Sequence, residues 1–280
     1  MNNDLMELNV GGDEMKEFAD ILGTGDSSPA DMMPIVKIVT SEEDNQGRPL
    51  TRGQLYLKSN DIEPVYTDSM KIRPLSNVYQ YNHFDKLKGE SVCRTIQSPS
   101  WNVEFRDTKG TLKCGRPDDW YDRPDDEKAS WKDIKCNRIL RVLVSYEGKD
   151  ADGNSLKVEN KPAIIFNKSS NFNQFNEQYL KILPRNKRLY DYWCDVTTAK
   201  QKTGGVSYFT MEYKPDFKNP VSLDEKTLET LRVIVNIIKN ANAFVNKAYI
   251  DQIQQNSITD NATDMIEDAE KLSELEKDLV

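Results

Sequence analysis

The side chains in this chain able to carry chemistry are few and widely spaced. Cys93, Cys114, Cys136 and Cys194 lie 21, 22 and 58 residues apart, and His83 is the one histidine. Thiolates and imidazole are the ligands zinc prefers, so all four thiolates, or Cys93, Cys114 and Cys136 with His83, are the sets such an ion would draw on. Zinc sites take their ligands mostly in close pairs, and without a C-x-x-C the spacing points instead to free buried thiols. Ser-His or Cys-His catalysis would have to run through His83, which has no catalytic neighbour in sequence and reads as a surface or capping residue. No G-x-G-x-x-G, G-x-x-x-x-G-K-[ST] or H-E-x-x-H is present. Asp118 with Asp119 and Asp125 with Asp126 are the type of pair a two-metal nuclease uses, but adjacent carboxylates in a polar loop read as solvated. The expectation is a non-catalytic protein without cofactors.

A different chemistry is concentrated between Ser91 and Tyr146. Trp101, Trp120, Trp131, Phe105, Tyr121 and Tyr146 are interleaved there with eleven Lys and Arg, among them Arg94, Arg106, Arg138 and Arg141. Flat rings beside guanidinium and ammonium groups can stack bases while neutralising phosphates. The same residues also read as sheet core with solvated charged faces, and the sequence leaves both readings open.

The formal net charge of -8 speaks against a phosphate-rich partner until its distribution is read. Residues 1–33 carry eight acids and one Lys, and residues 251–280 nine acids and two Lys, a net of -7 at each end. The 217 residues between hold 29 acids and 35 bases, a net of +6. A cationic body between acidic ends follows, with the ends free to compete with nucleic acid, recruit partners or keep the chain soluble. No apolar run reaches the roughly 18 residues of a spanning helix, and the first residues, MNNDLMELN, lack a signal core. A cytosolic protein is expected.

Positioning of these groups falls to a β-rich body. IVKIVT after Pro34, GQLYLK at 53–58 and VYTDSMKIRPL at 65–75 alternate with period two and predict antiparallel strands. Pro74 is expected to end the last of these or hold it at an edge. Tyr79 and Tyr81 share a face if that segment is extended. WNVEF at 101–105 alternates again, 115–133 reads as an inserted loop with a short helix at 125–134, and 134–148 with 161–166 reads as a hairpin. Phe172, Phe175, Tyr179 and Ile182 predict a helix closed by Pro184. Runs at 190–199 and 206–213 predict a hairpin with Lys200 and Lys202 at its mouth. Ser222 with Glu225 signals a capped long helix, with Leu228, Leu231, Val235, Ile238, Asn242 and Val245 near one face. The expected organisation is an acidic arm at 1–33, a body at 34–220, a helix at 221–256 and an acidic disordered tail at 257–280.

The succession Pro34 to Ile38, the strand after Gly53, IRPLSNVYQY, Ser98-Pro99-Ser100, DTKGTLKCG, IKCNRILRVLVS, SSNF at 169–172 and KQKTGGVSYF resembles phage-encoded single-stranded DNA-binding proteins of the OB-fold type. It spans about 34–214. The resemblance implies an OB-fold-like antiparallel barrel with insertions and a long C-terminal helix. It also implies sequence-tolerant binding of single-stranded DNA during replication and recombination in the cytoplasm of an infected host, with an acidic C-terminal tail for contacts to phage replication proteins. The chain differs from the best-known versions in closing on LEKDLV without a terminal aromatic. Trp101, Phe105, Tyr79 and Tyr81 are the residues expected to stack bases. Arg73, Arg94, Arg106, Arg138, Arg141, Lys200 and Lys202 are those expected to meet phosphates. The competing expectations are a structural or scaffold protein of a viral assembly, or a non-catalytic accessory factor of a replication enzyme; whether copies self-associate is left open.

Overall fold

Apolar alternation becomes strand along most of the body. The computed structural model describes residues 33–59, 63–85, 90–101, 106–109, 122, 124–130 and 134–277. Its strands are β1 (Ile35–Ile38), β2 (Leu55–Lys58), β3 (Met70–Asp85), β4 (Glu90–Arg94), β5 (Ile134–Lys149), β6 (Ser155–Asn167), β7 (Cys194–Thr203) and β8 (Val206–Pro215). Among the described residues three α-helices accompany them: α1 (Asp125–Ser130), α2 (Gln174–Gln178) and α3 (Glu225–Lys277). The strands form one sheet in the order β2-β1-β6-β5-β3-β7-β8, with β4 on β3. It curls into a half-barrel, an OB-like barrel plus C-terminal helix. The expected all-antiparallel pattern is broken once, where β1 runs parallel to β6 with Ile35 opposite Ile164.

The register sorts side chains onto two faces. Leu140, Val142 and Val144 of β5, Ala163 and Ile165 of β6, Val36, Leu55, Leu57 and Ile72 point inward and form the main core. Phe175 of α2 and Tyr179 just after it plug the open side, their rings stacked 4.8 Å apart and fully buried. Asn171 Oδ1 and Gln178 Oε1 accept hydrogen bonds from the Met211 and Tyr213 amides at 2.7 Å, so the free edge of β8 is occupied by side chains. The curl is held at its ends by close backbone approach. Thr198 Oγ1 donates to Gly53 O at 2.6 Å, and the Phe209 ring lies where a Cβ on Gly53 would be. Tyr66 and Lys149 exchange backbone hydrogen bonds over Gly148, which has no room for a Cβ.

Ile139, Leu143, Ile164, Val78 and Leu75 face outward, and there α3 covers them with Ile234 and Ile238. Of the apolar stripe expected on this helix, Leu231, Ile238, Asn242 and Val245 face the body, whereas Leu228 and Val235 are exposed and Thr227, Ile234 and Ile237 are buried beside them. Apolar residues flank the packed face on both sides, and the sheet selects which of them it takes. The helix is capped by Asp224, whose carboxylate accepts from the Thr227 amide at 2.7 Å, not by Ser222. It continues beyond the expected end at 256 to Lys277, since no Gly or Pro follows Pro220 to interrupt it.

Other expectations shift locally. Pro74 sits inside β3, not at its end, because its missing N–H coincides with a register shift between Pro74 and Ser76. The helix expected at 125–134 stops at Ser130, and Ile134 begins β5. The helix expected from Asn171 is broken into a 3-10 turn, α2 and a second 3-10 turn at Leu180–Ile182, as Phe175 and Tyr179 are drawn into the core. Phe105, Cys114 and most of the 115–133 insertion lie outside the described residues, as does the arm up to residue 32. Among the described residues no helix is long and apolar enough to cross a membrane.

Candidate nucleic-acid interface

Five of the residues expected at a binding surface are buried in the body. Tyr79 and Tyr81 lie in a small inner cluster with Ile96, Ile134, Cys136 and Phe172, so neither ring offers a face to a base. Arg138, on the inner face of β5, is sandwiched between Tyr79 and Phe172, its guanidinium 5.0 and 5.4 Å from their ring centres. Burial lowers its pKa. Arg141 faces outward from the same strand but is sealed beneath α3, where its Nη2 donates to Gln97 Oε1 at 2.8 Å and burial pushes its pKa down to about 10. Arg73 is spent on the chain ahead of α3, donating to the carbonyls of Tyr190 at 2.8 Å and Ser222 at 3.0 Å. These three arginines are therefore structural cations, and a phosphate cannot reach them without opening the fold.

Arg94, Trp101 and Arg106 remain at the surface. Residues 94–97 and 106–108 pair through the Thr95–Asp107 bridge, which sets Arg94 and Arg106 on neighbouring strands. Asp107 anchors the turn, accepting from the Lys109 amide at 2.7 Å. The hairpin is fastened to α3 by a reciprocal pair: the Gln97 amide donates to Asn242 Oδ1 at 2.7 Å, and Asn242 Nδ2 donates to Gln97 O at 2.9 Å. Seated there, the Arg94 guanidinium lies 5.1 Å from the Phe244 ring centre and that of Arg106 lies 5.7 Å from Tyr249. Arg106 Nη1 also donates to Asn246 Oδ1 at 3.4 Å. Phe244 is 47% exposed and Trp101 46% exposed, and the Trp101 carbonyl is held by the Tyr81 hydroxyl at 2.9 Å. Neither arginine forms an ion pair with a carboxylate among the described residues. A guanidinium set over a ring keeps N–H groups available to a phosphate.

The expected set omits Phe244 and Tyr249, which come from a helix some 140 residues away. The signal available was weak: Phe244 falls off the apolar stripe of α3, where a core residue would not be placed. Lys200 and Lys202 are exposed on β7, Lys200 opposite Phe209. They do not join this patch. β7 meets β3 at Met70–Ile72, whereas β4 pairs at Asn82–Asp85, at the opposite end of that strand.

Three of the zinc candidates lie on the β3, β4 and β5 strands. His83 stands opposite Cys93, and Cys136 opposite Tyr81, on adjoining strands. Cys93 is engaged with Asp107 and Thr108, and burial pushes its thiol, like that of Cys136, up to about 11. Among the described residues no three metal-ligating side chains converge, and Cys114 lies outside them. Set against known proteins, the chain matches no protein-family model, no curated protein and no solved structure.

Proposed function

We propose that this chain binds single-stranded DNA without reading its sequence, in phage DNA replication and recombination, and acts by coating and protecting rather than by catalysis. The observation that carries this reading is the pair of surface arginines, Arg94 and Arg106, each laid on an aromatic ring of α3 with no opposing carboxylate among the described residues. Cations of this kind neutralise the backbone, and exposed rings such as Trp101 and Phe244 stack bases of any identity at about 1–3 kcal/mol each. Sequence-tolerant binding needs nothing more. The OB-like curl of the sheet agrees with it, since such barrels recurrently carry oligonucleotides. The acidic C-terminal end is assigned to contacts with other replication proteins.

A second reading, a scaffold protein of a viral assembly or an accessory factor of a replication enzyme, draws support from α3 itself. The helix leaves Val233, Val235, Ile250 and Ile253 exposed. A gel shift with fluorescent oligo-dT separates the two: binding at about 50 mM salt that weakens at higher salt supports the first, and no binding at about 50 mM, where phosphate contacts are strongest, refutes it. Deletion of 251–280 should leave or raise DNA affinity in the first reading and abolish partner binding in the second.

A further inference from the structure

The outer face of the sheet is not wholly covered by α3. Beyond Ile139 and Ile164, which pack beneath Ile238, the face continues over β6, β1 and β2. Parity places Phe166, Lys37, Tyr56 and Lys58 on it: Ile35 is opposite both Ile164 and Lys58, and Lys37 is opposite Tyr56. Ring, amine and ring thus follow one another across three adjacent strands, at about 4.8 Å per strand. Phe166 is 36% exposed although it lies in a strand. Tyr56 is half-buried against Tyr66, ring centres 5.4 Å apart. Lys58 and Lys168 are exposed at the margins, and Lys37 is half-buried between the rings.

The charge around Lys37 is of one sign. Burial and the neighbouring amines of Lys168 and Lys58 lower its pKa, and no carboxylate offsets them. None of the three lysines forms an ion pair among the described residues. The strip ends at Tyr66, where Arg48 gathers Asp44, Glu63 and Asp152. Three amines kept together without an anion, with an exposed ring in their midst, have the composition that a polyanion with flat bases complements.

We propose that Lys37, Tyr56, Lys58, Phe166 and Lys168 form a second contact surface for a single-stranded nucleic acid, apart from the Arg94–Arg106 patch. This rests on the single-strand reading above and adds where else the strand is held. Phe166 and Tyr56 receive bases, and the lysines receive the phosphates on either side.

The test is titration of fluorescein-labelled (dT)25 against the full chain and a Lys37→Glu/Lys58→Glu/Lys168→Glu variant, checked for an unchanged melting temperature. Loss of three phosphate contacts lowers affinity about 100-fold at 0.1 M salt and reduces the slope of log K against log salt by about 2. Lysine acetylation of the wild-type chain supplies a readout without substitution: (dT)25 should protect Lys37, Lys58 and Lys168 but not Lys214, which is exposed on β8. A variant that binds (dT)25 as the wild type does, with the three lysines unprotected, overturns the strip and leaves the single-strand reading standing. A wild type that binds no oligonucleotide overturns both. Protection by polyglutamate equal to that by (dT)25 overturns the assignment of bases to the rings.

Discussion

Asn242 is the residue through which α3 grips the hairpin that carries Arg94 and Arg106, and its replacement by alanine should loosen both. The change removes two hydrogen bonds, at 2.7 and 2.9 Å, and strands the amide and carbonyl of Gln97, a residue 8% exposed. A stranded backbone group costs about 1–3 kcal/mol; taking the low end of that range, about 1–1.5 kcal/mol for each of the two groups at a partly buried site, gives about 2–3 kcal/mol. Alanine returns about 0.6 kcal/mol through its higher helix propensity, leaving a net loss of about 2 kcal/mol, or about 4–8 °C in melting temperature for a body of this size. Asn240→Ala is the control, since Asn240 is exposed on the same helix and should gain only the propensity term. Thermal and urea unfolding of the two variants side by side checks this. An Asn242→Ala protein as stable as Asn240→Ala would refute the view that the Gln97 pair fastens the helix.

Three further outcomes are expected. Gly148→Ala drives a Cβ into the Tyr66 carbonyl oxygen, and should cost on the order of 2 kcal/mol in urea unfolding by breaking the Tyr66–Lys149 pair. Arg94→Ala with Arg106→Ala should leave the fold intact and reduce the salt slope of oligo-dT binding by about 1.4, at about 0.7 per phosphate on a single strand. Cys93 and Cys136 ionise near 9.0 when unfolded but hold their protons to about 11 when folded. The unfolded state therefore releases protons first, so stability should be level below about pH 8 and fall between about pH 9 and 11, measured as melting temperature against pH.

The strands were legible because their alternation is local: ILRVLV in β5 announces itself without knowledge of the rest. What the residues on them face was not legible. A strand with Arg138, Leu140 and Val142 on one side and Ile139, Arg141 and Leu143 on the other invites the view that its arginines reach solvent. Both faces are covered, one by α2 and its aromatic plug and the other by α3, from chain that lies tens of residues away. Burial of Arg141 is decided by Gln97 and Asn242, which no window around it contains. The same holds for the binding patch. Arg94 and Arg106 were found by residue type, whereas Phe244 and Tyr249, which orient them, were hidden in a helix whose stripe is apolar on more than one side. Lys37 and Phe166 were unremarkable in IVKIVT and KPAIIF until β1 was laid parallel to β6.

Equilibrium binding of fluorescent (dT)25 to the intact chain between 50 and 200 mM salt tests the account most directly. Two phosphate contacts at Arg94 and Arg106 predict a loss of affinity of about sevenfold across that range, rising to about 130-fold if Lys37, Lys58 and Lys168 add three more. Absence of binding at the low-salt end, or an affinity that salt does not move, would contradict it.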